Sequence, residues 1–297
     1  MKRLIAFVAT IAAAAVALVA CSGPDNVPLL AKPANALRVA TYNVHYIILE
    51  EETGAWSVGD WERRKAPLDA AFKTLDADIV AFQEMESFAR GDDGNVNLAR
   101  DYLLERNPAF AAAANGDARV FPSTQPIFYR TDRLEMLDQG WFFFSDTPDV
   151  IYSRTFNGSF PAFASWSLFR DGDTTMRVVN VHLEYKSASN RRLSSELIAE
   201  RIAPWVDAGE NVMVIGDLNA RAGGVPQQII GAKGLKFVDV QGSTYHLNYG
   251  LNLFGAIDHI GVTDGIMQVG ETQVLRQKFL GEWPTDHYPV VADFVVE

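Results

Sequence analysis

The feature that most constrains the fold is a short apolar strand that ends in polar residues, about three quarters of the way along the chain. Residues 212–215 form a continuous apolar run, which is typical of a strand buried on both faces. Gly216 follows and predicts a sharp turn, and Asp217 and Asn219 come next. Both polar side chains are therefore expected at the carboxyl edge of a sheet, a common place for active sites. Taken alone, the pair is equally typical of an ordinary turn.

Other predicted strands also carry polar residues at or near their ends. These residues are Asn43, Gln83, Glu84, His182, Asp258, Asp286 and His287. A buried carboxylate or imidazole is costly unless it is paired or bound to a cation. One such residue is explained as a satisfied polar group of the core, whereas repeated placement at strand ends indicates convergence on one cleft.

The remaining pattern predicts helices at both ends of the domain and a middle that is rich in strands. Helices are predicted over 60–75, with Asp60 as N-cap, over 96–106 and over 189–206. Strands are predicted over 37–44, 79–85, 126–130, 134–144, 163–169, 176–184, 212–215, 256–262, 268–275 and 289–295. This order indicates an α/β fold in which two packed sheets have helices outside them.

The N-terminus has the pattern of a secretory leader. Residues 4–20 form an uncharged run after a basic start, which is short for a transmembrane helix and typical of a signal-peptide core. The small residues before Cys21 resemble a bacterial lipobox, in which the cysteine is acylated and becomes the first residue. A soluble secreted protein with an unmodified cysteine is the alternative.

We therefore predict a lipoprotein signal peptide over residues 1–20, a flexible tether over 21–36 and one folded domain over 37–297. The expected location is the bacterial cell envelope. Ser22 resembles a signal for sorting to the outer membrane, facing the periplasm. Because Cys21 is the only cysteine, no intrachain disulfide can form, and stability must come from the core.

The predicted mature chain is strongly acidic. Without Lys2 and Arg3 of the leader, 24 basic residues stand against 37 acidic ones, for a net charge of −13. Such a surface repels a polyanion, so nucleic acid is a partner that the net charge does not favour. We expect a monomer.

Six short motifs lie along the chain in order between Thr41 and Val291. They read TYNVH, FQE, VNVHLE, GDLN, IDHI and TDHYPVV. Together they resemble the endonuclease/exonuclease/phosphatase superfamily, which includes deoxyribonucleases, apurinic endonucleases and sphingomyelinases. The resemblance covers nearly all of residues 37–297. It implies a four-layer α/β/β/α sandwich of two packed mixed sheets with outer helices, and Mg²⁺-dependent cleavage of phosphate esters.

Phosphoester hydrolysis needs a cation on the phosphoryl oxygens and a group that takes a proton from water. Hard oxygen ligands suit Mg²⁺, with Mn²⁺ as the alternative cation. Glu84 is the first candidate ligand, with Asn43 beside it. The resemblance adds Asp286 as a ligand that contacts the metal directly or through water.

Asp258 and His287 form the candidate catalytic dyad, because an Asp that accepts from one imidazole nitrogen sets the tautomer and raises the basicity of the other. By the resemblance, Asp217 and Asn219 orient the attacking water and the transition state. His182 would donate to a phosphoryl oxygen. Whether Asp217 or His287 takes the proton is left open at this point.

Four further residues receive individual predictions. His45 shares a strand face with Asn43 and is a candidate substrate contact. Many relatives have an arginine where this chain has Ala162, and Arg154 is the candidate replacement. His259 follows Asp258 in a strand, so it should point to the opposite face in a structural role. His246 is predicted to lie at the surface. We include His45 and Arg154 as substrate-binding candidates.

The predicted function is Mg-dependent hydrolysis of a phosphodiester or phosphomonoester in a small or lipid-derived substrate. The first alternative is a secreted or envelope-bound nuclease. The second is a catalytically idle binding protein with the same fold, which would be indicated by loss of Glu84, Asp217 or His287, and all three are present.

Overall fold

The computed structural model describes residues 27–89 and 96–297. The strands in chain order are β1 (Leu37–Asn43), β2 (Ile47–Ile48), β3 (Ile79–Gln83), β4 (Ser87–Phe88), β5 (Phe110–Ala113), β6 (Ile127–Arg130), β7 (Leu134–Phe143), β8 (Phe163–Asp171), β9 (Thr174–His182), β10 (Val212–Asp217), β11 (Lys236–Phe237), β12 (Asp258–Val262), β13 (Ile266–Val274) and β14 (Val290–Val296). The helices are α1 (Val58–Leu75), α2 (Leu98–Arg106), α3 (Ala188–Asp207) and α4 (Val225–Gly231).

Most strands belong to two six-stranded mixed sheets, of order β13-β14-β1-β3-β6-β5 and β11-β12-β10-β9-β8-β7. In the first sheet, β1 is parallel to β3 and antiparallel to β14. In the second, β10 is parallel to β9 and antiparallel to β12. The short strands β2 and β4 pair only with each other among the described strands. The predicted α/β fold with two mixed sheets is therefore confirmed.

The side chains of each strand alternate between two apolar layers. Val39 and Ala81 of the first sheet share one buried cluster with Met213 and Ile215 of the second. The opposite face of the first sheet packs against α1 and α2, and that of the second packs against α3 and α4. Burial on both faces explains why β3 and β10 read as continuous apolar runs. The four layers are those of the predicted sandwich.

Helix α1 begins earlier than its sequence pattern suggested. Ser57 is the N-cap, and its Oγ accepts from the backbone N–H of Asp60 at 3.1 Å. The prediction of Asp60 as N-cap is therefore wrong. Asp60 lies in the first turn of α1, where its carboxylate pairs with Arg64 at 3.2 Å. The positive end of the helix dipole also stabilises this carboxylate.

The second half of the predicted tether contacts the domain. The Leu30 N–H donates to Gln273 Oε1 at 2.7 Å, and Lys32 Nζ pairs with Asp78 Oδ1 at 2.9 Å. Leu30 and Lys32, both within the predicted tether, therefore contact the folded domain. The predicted signal peptide and Cys21 lie outside the described residues.

No helix in residues 27–89 or 96–297 combines the length and apolar character needed to span a bilayer.

Candidate active site

The strand registers bring polar residues from both sheets to one edge. Asn43 ends β1 and pairs with Gln83, which ends the parallel strand β3. In the other sheet, Asp217 ends β10 and lies between His182, the last residue of β9, and Asp258, the first residue of β12. Because β12 is antiparallel to β10, its first residue reaches the edge where β10 ends.

Gly216 has a different role from the predicted turn. It lies within β10 at φ 142°, and a Cβ there would be 1.9 Å from the carbonyl oxygen of Val181. Only glycine permits this close approach of β10 to β9. The turn comes at Asn219, whose φ is 45°. The Asn219 N–H donates to Asp217 Oδ1 at 2.7 Å, so the turn residue orients the carboxylate before it.

Asp217 lies at the centre of the cluster. Its Oδ2 is 3.3 Å from Asn43 Nδ2, 3.7 Å from His182 Nε2 and 3.9 Å from His287 Nε2. Burial and repulsion by Asp258 raise the pKa of Asp217 to about 6, against the opposing attraction of the two histidines. This buried carboxyl group therefore exchanges protons closer to neutral pH than an ordinary aspartate.

His287 and Asp258 form a buried hydrogen-bonded pair, with His287 Nδ1 3.0 Å from Asp258 Oδ2. Burial by itself would lower the pKa of His287, but the charge and hydrogen bond of Asp258, with Asp217 and Asp286, raise the pKa to about 10. The imidazole therefore keeps its second proton at neutral pH.

Glu84 approaches the cluster from the first sheet. It follows β3 with φ 53°, a left-handed conformation that is uncommon for a residue with a side chain. Asn43 Nδ2 donates to Glu84 Oε1 at 3.1 Å, and His182 Nε2 is 3.7 Å from the same oxygen. The amide of Asn43 therefore lies between the carboxylates of Glu84 and Asp217.

Asp286 joins the cluster beside His45. His45 Nε2 is 3.8 Å from Asp286 Oδ2, and the His45 ring stacks on Trp56 with centroids 4.9 Å apart. The strand-face argument for His45 is wrong, because β1 ends at Asn43 and His45 has φ 65°. His45 nevertheless lies beside the site through the turn that follows the strand.

Comparison with known proteins was made by sequence and by structure. No family model matches the chain, and no curated protein matches it. The fold resembles an endonuclease/exonuclease/phosphatase protein from Bacteroides vulgatus at 23% identity and TM-score 0.72, over 88% of this chain and 99% of the other. It also resembles the mannosyl-6-phosphatase of Bacteroides thetaiotaomicron at 22% identity and TM-score 0.71, over 87% of this chain and 99% of that one.

The chain has the endonuclease/exonuclease/phosphatase fold. A more distant likeness to TDP2 from D. rerio, solved with a single-strand DNA product, has 14% identity and TM-score 0.62, over 88% of this chain and 99% of that one. The structures with this fold thus include a phosphatase and a protein solved with a DNA product.

One buried group among the described residues could hold a metal ion. It consists of Asp217, Asp258 and His287, whose possible ligand atoms lie within 4.8 Å of one another. Asp258 Oδ1 is also buried without a hydrogen-bond partner in the described part of the chain. However, Asp258 Oδ2 is already bonded to the cationic His287, which a metal ion between them would displace.

Glu84 and Asp217 form a second acidic group beside this one, and both carboxylates accept from the amide nitrogen of Asn43. Within residues 27–89 and 96–297, neither acid pairs with a Lys or Arg, and their ion-pair partners are histidines. Glu84 is half-buried, which leaves room for the waters that Mg²⁺ retains. The carboxylate of Glu84 matches the ligand chemistry of Mg²⁺ or Mn²⁺, whereas Asn43 turns its amide nitrogen toward both acids.

Arg154 is not brought to the cluster by any contact. It is exposed in the loop after β7, and no ion pair joins it to the acids of the site within the described chain. The same loop contacts the end of β9, where Glu184 accepts a hydrogen bond from the Ser159 N–H at 2.7 Å.

The other two histidines are structural in different ways. His259 Nε2 donates to the carbonyl of Ala220 at 2.9 Å, while its neighbour Asp258 faces the site. The surface prediction for His246 is wrong, because its ring is buried and lies 4.1 Å from that of Tyr288 and 4.5 Å from that of Trp283. An irregular loop gave no periodicity from which this burial could be recognised.

Sequence reasoning also missed a buried polar connection directly beneath the site. Gln83 Nε2 donates to Asn180 Oδ1 at 2.7 Å and thereby links the two sheets. Thr41 Oγ1 donates to Gln83 Oε1 at 3.1 Å, and Asn180 Nδ2 donates to the carbonyl of Phe82 at 2.7 Å. The available signal was the polar Asn180 inside an apolar strand, two residues before His182.

Proposed function

We propose that the protein is a divalent-metal-dependent hydrolase of small phosphoesters. The observation that carries this proposal is the position of Asp217 Oδ2, within 3.9 Å of the Asn43 amide and the imidazoles of His182 and His287. These groups come from distant parts of both sheets, and packing alone gives no reason to collect so many ionisable side chains at one edge.

Glu84 is the proposed first metal ligand, with Asn43 beside it and Asp286 contributing directly or through water. When bound, Mg²⁺ or Mn²⁺ would supply positive charge that polarises the phosphoryl oxygens. The hydrogen bond from Asn43 to Glu84 and the left-handed backbone at Glu84 hold this carboxylate toward the second sheet.

The raised pKa values favour one assignment of the proton transfer. His287 is a buried cation held by Asp258, so it stabilises negative charge on the phosphoryl group. Asp217, whose pKa burial raises to about 6, accepts the proton from the attacking water. The Asn219 N–H holds the other oxygen of Asp217, and His182 donates to a phosphoryl oxygen.

The charge of the chain favours a small substrate over a polynucleotide. The predicted mature chain has a net charge of −13. By the family resemblance, Ala162 takes the place of an arginine that many relatives use to neutralise phosphate. The mannosyl-6-phosphatase with this fold supports small phosphomonoesters as one class. We retain His45 and Arg154 as proposed substrate contacts, His45 because of its position beside Asp286.

We also propose acylation of Cys21 and attachment to the cell envelope, on the pattern of the N-terminal leader. Cell fractionation of the Cys21→Ser variant tests this directly. The variant should move from the membrane to the soluble fraction, and an unchanged distribution would reject the anchor.

The test of function is hydrolysis of chromogenic phosphomonoesters and phosphodiesters by the purified protein at low salt, compared with cleavage of plasmid DNA. We expect turnover of a small ester with Mg²⁺ or Mn²⁺ and its loss in EDTA and in His287→Ala. Much faster cleavage of plasmid would support the nuclease alternative. The likeness to TDP2 solved with a DNA product is the reason for including this comparison. Metal binding without turnover of any ester would support the idle binding protein.

A further inference from the structure

A groove of about 540 Å³ opens beside the segment that follows Glu84. Phe88 and Tyr152 line it with side chains that are 38% and 48% exposed, and Asn97 and Thr124 add polar groups. Large aromatic side chains are costly to expose, and two of them in one concave surface indicate a binding site for an apolar group.

The groove is continuous with the proposed active site along the backbone. Glu86 lines the groove, and its N–H donates to the carbonyl of Glu84 at 2.8 Å. The N–H of Met85, between them, donates to the carbonyl of Thr124 at 3.1 Å on the other side of the groove. The loop that places the Glu84 carboxylate therefore also forms one wall of the groove.

Aromatic side chains make a second connection between the groove and the proposed active site. The Phe88 ring is 5.5 Å from the ring of Tyr46, which is 5.0 Å from that of His45. His45 in turn lies beside Asp286, with Nε2 3.8 Å from Oδ2. Successive ring contacts therefore lead from the acidic cluster to Phe88 in the groove.

Charged side chains also line the groove. Glu86, two residues after Glu84, is one of them. Arg119 is another, and it is paired with Asp117, with Nε 2.9 Å from Oδ1. A flat neutral ring can stack on the exposed aromatic faces.

We infer that this groove holds the organic ester group of the substrate, and that the group carries an aromatic or similarly flat apolar ring. The inference rests on the proposed phosphoester hydrolysis and adds the chemical class of the group attached to phosphorus. Phe88 and Tyr152 are the specificity-determining residues, and neither touches the reacting atoms.

The test compares benzyl phosphate with methyl phosphate, and benzyl methyl phosphate with dimethyl phosphate, because benzyl alcohol and methanol are similarly good leaving groups. Product release is followed with the purified full chain and Mg²⁺. The benzyl ester should be preferred by about tenfold in kcat/KM, since its ring loses contact with water in the groove.

Phe88→Ala and Tyr152→Ala should each remove most of this preference by raising KM for the benzyl ester, with a much smaller change in kcat/KM for the methyl ester. Phe160→Ala is the matched control, because Phe160 is 71% exposed and does not line the groove. Equal kcat/KM for the two esters in the unmodified protein, or equal losses for both in Phe88→Ala, would overturn the inference.

Failure of the proposed function gives a different result. If no ester is hydrolysed, calorimetric binding of benzylphosphonate and methylphosphonate decides the question of the groove separately. Tighter binding of benzylphosphonate that Phe88→Ala abolishes would support the groove as a ring-binding site, and equal affinity would reject it.

Discussion

His287 Nδ1 lies 3.0 Å from Asp258 Oδ2, and this hydrogen bond directs the other ring nitrogen of His287 toward Asp217, 3.9 Å away. Asp258 begins β12 of the second sheet, and His287 lies in the segment that leads into β14 of the first sheet. Their pairing joins the sheets at the edge that carries the proposed chemistry. It also accounts for the raised pKa of His287, since the carboxylate outweighs the effect of burial.

Asp258→Asn should lower kcat by about two to four orders of magnitude, because a neutral amide no longer stabilises the imidazolium of His287. The pKa of His287 should fall in the same variant, which NMR titration of the imidazole measures. Asp264→Asn, at an exposed position, is the control. A kcat within twofold of the unmodified protein would remove Asp258 from the mechanism.

Glu84→Gln should abolish the stabilisation of the protein by Mn²⁺ or Mg²⁺. A ligand at a hundred times its Kd stabilises the native state by about 2.7 kcal/mol, which raises the Tm by several degrees. The unmodified protein and the exposed-site variant Glu62→Gln should both show this increase. An equal metal-dependent rise in Glu84→Gln would place the cation elsewhere, with Asp217, Asp258 and His287 as the other group.

Gln83→Leu and Asn180→Leu should each lower the free energy of unfolding by about 1–3 kcal/mol, because each leaves a buried polar partner unsatisfied. The double variant should be less destabilised than the sum of the single variants. Urea denaturation of the four proteins measures this coupling. If the losses in free energy of unfolding are strictly additive, the hydrogen bond between Gln83 and Asn180 has no coupling energy.

Because of His246, the free energy of unfolding should decrease as the pH falls from about 6.5 to about 4. Burial lowers its pKa to about 4, so below pH 6.5 the unfolded chain binds a proton that the native state does not. The stabilisation is fully present above pH 6.5, and its loss is on the order of 3 kcal/mol by pH 4.

The measurement for His246 is urea denaturation in EDTA at several pH values, compared with His246→Gln. The variant loses the ring packing against Tyr288 and is less stable at pH 7, but its free energy of unfolding should change less with pH. Identical pH slopes in the two proteins would contradict the prediction.

Much of the fold could be predicted because the relevant information is local. Burial on both faces of a strand requires a run of apolar residues, and such runs marked β3 and β10 within two residues of their ends. β1 was marked by its β-forming residues after a turn. Elements with weak local signals were missed. The alanine-rich β5 is held by its pairing with β6, and α4 is only one to two turns long.

The sequence by itself determined which polar groups stand at the ends of buried strands, and so which residues could form a site. Only the tertiary structure decided how these groups pair, because register, close approach of backbones and packing between sheets depend on residues far apart in the chain. Gly216 lets β10 approach β9 instead of turning the chain. His246 is buried by a loop without periodicity, and Asn180 meets Gln83 only when the two sheets pack.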